Sequence, residues 1–265
     1  MINTRKAMSS LLGVIETLPL RPPSLFLDME GPNLGRRGSI SIMQLCIPRI
    51  RSPFLIDITT LGMDAFTTPG QSGSTLKAVL ESKYIPKVIF DVRSDSDALY
   101  ALYNIKLAGV DDLQLMELGS RSKNRTTVNG LSKCISAHLT LDDDEMEHIK
   151  AVKLQGAKLF APELGGNYEV FNERPLPKAI QEYCELDVRY LSRLWDHYHK
   201  KLSPMWKLIV AEETERRIAL TQTEDFDGYS PELANAPPGW GNRSRRIHPS
   251  LSKTSEKWKI IKDPR

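Results

Sequence analysis

Residues 24–58 hold three short apolar runs separated by turn-forming residues, and the chain alternates between helical and strand-like patterning from residue 74 onward. The runs at 24–29, 39–47 and 54–58 have strand length, and glycine, asparagine and proline lie between them at 31–38 and 48–53. Short links of that kind join antiparallel neighbours. A helix then fits 74–82, where Leu76, Val79 and Leu80 share a face, and a short strand fits 87–90. The 94–106 stretch spaces Ala98, Leu99, Leu102 and Ile105 three and four apart, as a helix requires. A fifth strand is expected at 113–118, followed by helices near 127–139, 143–155, 176–201 and 204–222. Three strands, then two more interleaved with helices, predict an α/β layered domain.

Composition narrows the function classes. The 265 residues are 40% hydrophobic and 26% charged, within the ordinary range of a globular chain. No apolar run approaches the roughly 20 residues of a membrane span. The first twenty residues lack the continuous apolar core of a secretory signal, so an intracellular address, cytoplasmic or nuclear, is expected. Cys46, Cys134 and Cys184 have neither disulfide-framework nor zinc-ligand spacing and are expected as reduced, buried thiols. His197 and His199 point to different faces of a helix rather than to one metal.

The organisation expected is a leader at 1–21 with a short helix near 4–18, a main domain at 22–202, a helical extension at 203–222 and a basic, flexible or loosely docked tail at 223–265. Glu212, Glu213, Glu215, Arg216 and Arg217 of the extension are expected in solvent. Charge is uneven: residues 240–265 carry eight lysines and arginines against two acids, while the whole chain nets +3. A near-neutral body with a basic tail suits a nucleic-acid partner. Arg36, Arg37, Arg243, Arg245 and Arg246 are candidate phosphate contacts. Trp240 and Trp258 could stack on bases or pin the tail to the domain.

Three short acidic motifs carry the chemistry. Asp28 and Glu30 end the first apolar run at i and i+2, so a strand projects both to one side. Two carboxylates there are costly without a cation between them, and hard oxygen donors favour magnesium or manganese. Asp91, Ser94 and Asp95 open the helix after the fourth strand, where acids complement the helix dipole; Asp91 or Ser94 could be a cap. Tyr183 and Asp187 lie four apart, one helical turn. Taken singly, each motif has a bland explanation: an exposed strand end, a cap, a core tyrosine beside a solvated acid.

Their conjunction, in this order and on these elements, resembles the DEDD 3′–5′ exonucleases, in the tyrosine subgroup and the ribonuclease D and Egalitarian-like branch. The resemblance covers about residues 22–202. It includes the 112–118 segment, similar to the family's fifth-strand region, and the 162–176 segment that leads to Tyr183. Glu182, not histidine, stands five residues before Asp187, which favours the tyrosine form; Phe90 stands where relatives often have histidine. The resemblance implies a ribonuclease H-like mixed five-stranded sheet flanked by helices. It implies two divalent ions, Mg²⁺ or Mn²⁺: one held by Asp28, Glu30 and Asp187, the other mainly by Asp28, with Asp95 acting through water. Tyr183 would position the attacking water. The substrate implied is single-stranded RNA or DNA with a free 3′ end, RNA before DNA, and the products are nucleoside 5′-monophosphates. The alternative is a catalytically silent RNA-binding adaptor built on the same fold.

Overall fold

The computed structural model describes residues 1–50 and 52–241. Helix α1 (Arg5–Ile15) precedes strands β1 (Leu25–Glu30), β2 (Ile42–Cys46) and β3 (Phe54–Asp57). Helices α2 (Ile58–Leu61), α3 (Asp64–Thr67) and α4 (Leu76–Glu81) lead to β4 (Lys87–Ile89), α5 (Arg93–Tyr103) and β5 (Val110–Asp112). Then follow α6 (Leu113–Ser120), α7 (Leu131–His138), α8 (Asp143–Phe160), α9 (Lys178–Arg189), α10 (Leu191–Lys201) and α11 (Pro204–Thr221). The five strands form one mixed sheet in the order β3-β2-β1-β4-β5. β1 runs antiparallel to β2 and parallel to β4, and β5 continues the parallel side. This is the ribonuclease H-like arrangement of a mixed sheet flanked by helices.

The alternation of β1 decides where the acids go. Leu25, Leu27 and Met29 pack into the core that includes α1, α4 and α5. Phe26 packs into the core on the other side, with α6, α9 and α10. A strand turns successive side chains to opposite faces, so Asp28 and Glu30 follow Phe26 toward the α9 side.

Three expectations need correction. The run at 113–118 is helix, and the strand before it has only three residues. The Asp112 carboxylate accepts hydrogen bonds from the Gln114 and Leu115 amides and so starts α6 where the strand stops. Leu113, Leu115, Met116 and Leu118 are all buried, and periodicity cannot separate strand from helix in such a run. The single helix expected at 176–201 is two, with Tyr190 as the junction. The 1–21 segment is no mere leader: Met8, Leu11, Leu12 and Ile15 are core residues, and Ile2 pairs with the edge strand through bonds to Leu55 and Asp57 of 2.7 and 2.8 Å.

The described part of the tail is docked. After α11 the chain returns across the body, exchanging backbone hydrogen bonds between 126–128 and 234–236. Trp240 is 2% exposed and meets the Trp206 ring edge-on at 5.0 Å. It pins the chain rather than offering a ring to bases. Arg243, Arg245, Arg246 and Trp258 lie outside the described residues. No helix among the described residues is long and apolar enough to cross a membrane. Cys46, Cys134 and Cys184 are buried free thiols, as expected.

Trp240→Ala should destabilise the protein by about 3–5 kcal/mol, the usual cost of removing a buried tryptophan. Urea unfolding measures this, and a change under about 1 kcal/mol would mean that the 226–241 return contributes no core.

Candidate active site

The centre lies where β1 faces α9. Oxygen atoms from Asp28, Glu30 and Asp187 all lie within 4.8 Å of one another. Asp187 is 4% exposed, one turn beyond Tyr183 on the same face of α9. Asp95, in the first turn of α5, is buried beside the triplet rather than in it. Its Oδ1 has no hydrogen-bond partner among the described residues. Thus three of the four predicted carboxylates converge and the fourth stands next to them.

Burial and mutual repulsion govern their charge. Asp28 is pushed up to about 8, first by burial and then by the Asp187 charge. Glu30 is raised well above its ordinary value by burial and by Asp28 and Asp187, and Asp95 by burial and Asp28. Burial raises Asp187 as well, against the opposing pull of the Lys153 ammonium. The Tyr183 phenol is raised by burial and by the neighbouring acids, so it stays protonated and can donate a hydrogen bond. A partly buried cluster of hard oxygen donors, with one oxygen of the neighbouring Asp95 unpaired, is a donor set that fits a divalent ion such as Mg²⁺ or Mn²⁺.

Three groups escaped the sequence reading. Lys153 of α8 forms an ion pair with Asp187, and its Nζ lies 4.3 Å from the centroid of the Tyr183 ring. Gly156, one turn further along α8, lies so close to Tyr183 that an added Cβ would come 2.6 Å from the ring. A glycine inside a helix costs about 0.5–1 kcal/mol relative to alanine; here it permits the contact between α8 and α9. The signal available in the sequence was the spacing of Lys153, Gly156 and Phe160 on one helical face. Gln44, opposite Asp28 in the β1–β2 pairing, is also buried there, with neither end of its amide hydrogen-bonded among the described residues.

The turn that delivers Asp95 is held by buried ion pairs. Asp91 has a positive φ of 62°. It is no cap: Arg93 grips its carboxylate with two bonds of 2.6 Å. Nor does Ser94 cap α5, whose N-cap residue is Val92, without a side-chain cap bond. Asp112 receives the amides of Asp91 and Val92, at 3.2 and 3.4 Å. Arg217, expected in solvent, is 4% exposed and donates to Asp112 at 2.8 Å and Gln114 at 3.0 Å.

Of the expected phosphate contacts, Arg36 is engaged within the fold. Its guanidinium pairs with Asp97 at 2.7 Å and donates to the carbonyls of Thr221, Thr223 and Glu224. Arg37 is exposed. On the far side, Arg174 grips Asp57 with bonds of 2.8 and 2.6 Å and so ties the segment before α9 to the end of β3.

Residues 1–203 match the model of a 3′–5′ exonuclease family. The chain belongs to that family. The solved structures it resembles include ribonuclease D of Trypanosoma brucei in complex with GMP, with a TM-score of 0.71 and 23% identity, covering 91% of this chain and 70% of that one. The same enzyme in complex with RNA U12 gives a TM-score of 0.69 at 21% identity, covering 91% and 77%. The piRNA biogenesis protein EXD1 of Bombyx mori is 29% identical over 174 residues, 59% of this chain and 53% of that protein. This match therefore spans about half the length of that relative. These likenesses agree with the family and fold that the acidic motifs had led one to expect.

Arg217→Met should cost about 3–5 kcal/mol, because it leaves the Asp112 carboxylate buried without its guanidinium. Equilibrium urea denaturation tests this, and a loss under about 1 kcal/mol would mean that the Arg93 and amide contacts alone hold the turn.

Proposed function

We propose that this protein is a 3′–5′ exonuclease that hydrolyses single-stranded nucleic acid, RNA before DNA, from a free 3′ end, releasing nucleoside 5′-monophosphates. The convergence of Asp28, Glu30 and Asp187 within 4.8 Å carries this reading, with Asp95 and Tyr183 beside them. Membership of the exonuclease family supports it. The structural likeness to a ribonuclease D crystallised with GMP and with RNA supports the choice of substrate.

In this proposal Asp28, Glu30 and Asp187 hold one divalent ion, and Asp28, with Asp95 acting through water, holds a second. Bound Mg²⁺ or Mn²⁺ supplies an activated water and neutralises the charge that develops on the entering and leaving oxygens. Asp28, Glu30 and Asp187 must be ionised to serve as ligands, which sets a lower pH limit on the reaction. Tyr183, kept protonated by its acidic surroundings, donates a hydrogen bond that orients the attacking water. Gly156 and Phe160 fix the position of the Tyr183 ring, Phe160 meeting it edge-on at 5.0 Å.

A second reading has one observation in its favour. The Bombyx mori relative is named for piRNA biogenesis, which suits an RNA-binding adaptor with a silent exonuclease fold. The retention of all four carboxylates and the tyrosine ranks the enzyme first.

Asp28→Asn should reduce hydrolysis to background while preserving the fold, since it removes a ligand and relieves repulsion. The assay uses 5′-labelled RNA and DNA of one sequence with Mg²⁺, Mn²⁺ or EDTA. A metal-dependent ladder shortening from the 3′ end, absent in the variant, is expected. Intact substrate under every metal condition, with RNA still bound, would instead establish the adaptor.

Metal and protons compete for the same oxygens, so Mn²⁺ affinity should rise with pH through about 8, where Asp28 ionises. In EDTA the raised pKa of Asp28 contributes stability that is fully present below its ordinary value of 3.8 and lost as pH rises through about 8. The gain in melting temperature from Mn²⁺ should therefore widen from pH 6 to pH 8.5. A gain independent of pH would contradict the raised carboxylates.

A further inference from the structure

Lys153 is a cation at this centre that the acidic motifs do not explain. It sits on α8, three residues before the glycine that lets this helix touch Tyr183. The same helix carries the Lys153 side chain to Asp187. Its ammonium meets Asp187 Oδ1 and lies over the Tyr183 ring, which adds a cation–π attraction. The acid it meets is almost wholly buried, so this is no solvated surface pair. The Lys153 side chain is 21% exposed, which leaves it a route outward. Its charge opposes the rise in pKa that burial imposes on Asp28, Glu30 and Asp187.

An ammonium and a divalent ion compete for the charge of the Asp187 carboxylate, and like charges a few ångströms apart repel strongly in a partly buried site. We infer that Lys153 is a resident counter-ion that holds the carboxylate centre together before metal arrives, and that metal loading is a cation exchange in which its ammonium leaves Asp187. The inference rests on the metal-binding reading proposed above and adds to it a threshold: a metal concentration below which lysine, not metal, occupies the centre. No covalent step is involved. The ammonium withdraws along its flexible stem.

The test is Mn²⁺ binding to the nucleic-acid-free protein at pH 8, followed by calorimetry and by the electron paramagnetic resonance signal of free Mn²⁺. Lys153→Met keeps the length and packing of the stem and removes the charge. It should bind Mn²⁺ about tenfold more tightly than the parent, by the loss of one nearby positive charge. In EDTA the same variant should melt at a lower temperature than the parent. Lys153→Arg, which keeps the charge, should stay within about threefold of the parent affinity. Lys153→Gln provides a second neutral variant if methionine disturbs folding, as judged by circular dichroism. Unchanged or weaker Mn²⁺ binding in both neutral variants, with a parent that binds Mn²⁺ and an Asp187→Asn variant that does not, would overturn the exchange and leave the metal site standing. A parent that binds no Mn²⁺, or an Asp187→Asn variant that binds as well as the parent, would remove the metal reading and this inference with it.

Discussion

Buried like charge is the constraint around which this molecule is arranged. Asp28, Glu30 and Asp187 are brought within 4.8 Å of one another between a central strand and a helix, with Asp95 alongside. Carboxylates in such a place repel and lose hydration, and both effects drive them toward the protonated form. Only a cation makes the ionised cluster stable. The fold answers locally with the Lys153 ammonium, and the donor set answers chemically with its fit to a divalent ion. The acids, the lysine and the tyrosine are parts of one electrostatic problem.

The rest of the structure aims those parts. β1 lies at the centre of the sheet, paired on both sides, so the direction of Asp28 and Glu30 is set by two registers. Asp95 depends on a turn with a positive-φ aspartate, which the Arg93, Arg217 and Asp112 pairs hold in place. One of those arginines comes from α11, well outside the strand order, and Arg36 reaches the carbonyls just beyond the same helix. The C-terminal part of the chain is therefore bonded both to the turn before Asp95 and to the 31–38 loop that follows Glu30. A buried guanidinium paired with buried carboxylates adds rigidity more than net stability, and rigidity is what a group of ligands needs.

The chain belongs to a 3′–5′ exonuclease family, and its fold matches those of solved ribonuclease D structures. Further contacts to the acid cluster and its tyrosine come from α8. Lys153, Gly156 and Phe160 form one face that carries the cation, accommodates the tyrosine and packs against its edge. The site is thus built from three elements, β1, α9 and α8, with α5 supplying the remaining acid.

Much of this was legible in residue order alone. The spacing of Asp28 and Glu30 placed them on one face of a strand, and that of Tyr183 and Asp187 on one face of a helix, because these periods belong to the backbone. The three antiparallel strands could be read from apolar runs and turns. The helix at 113–120 could not, since a run buried on every side has no polar face to show its period. The roles of Arg36, Arg217 and Lys153 could not be read either. A charged residue looks solvated in a sequence until its partner is known, and their partners lie 61, 105 and 34 residues away. The same holds for Gly156, whose need for a bare Cα comes from an aromatic ring on another helix. Local chemistry named the acids and the tyrosine that meet at this centre. Only the tertiary structure decided which cation and which supports surround them, because Coulomb attraction and close packing act through space and leave no period along the chain.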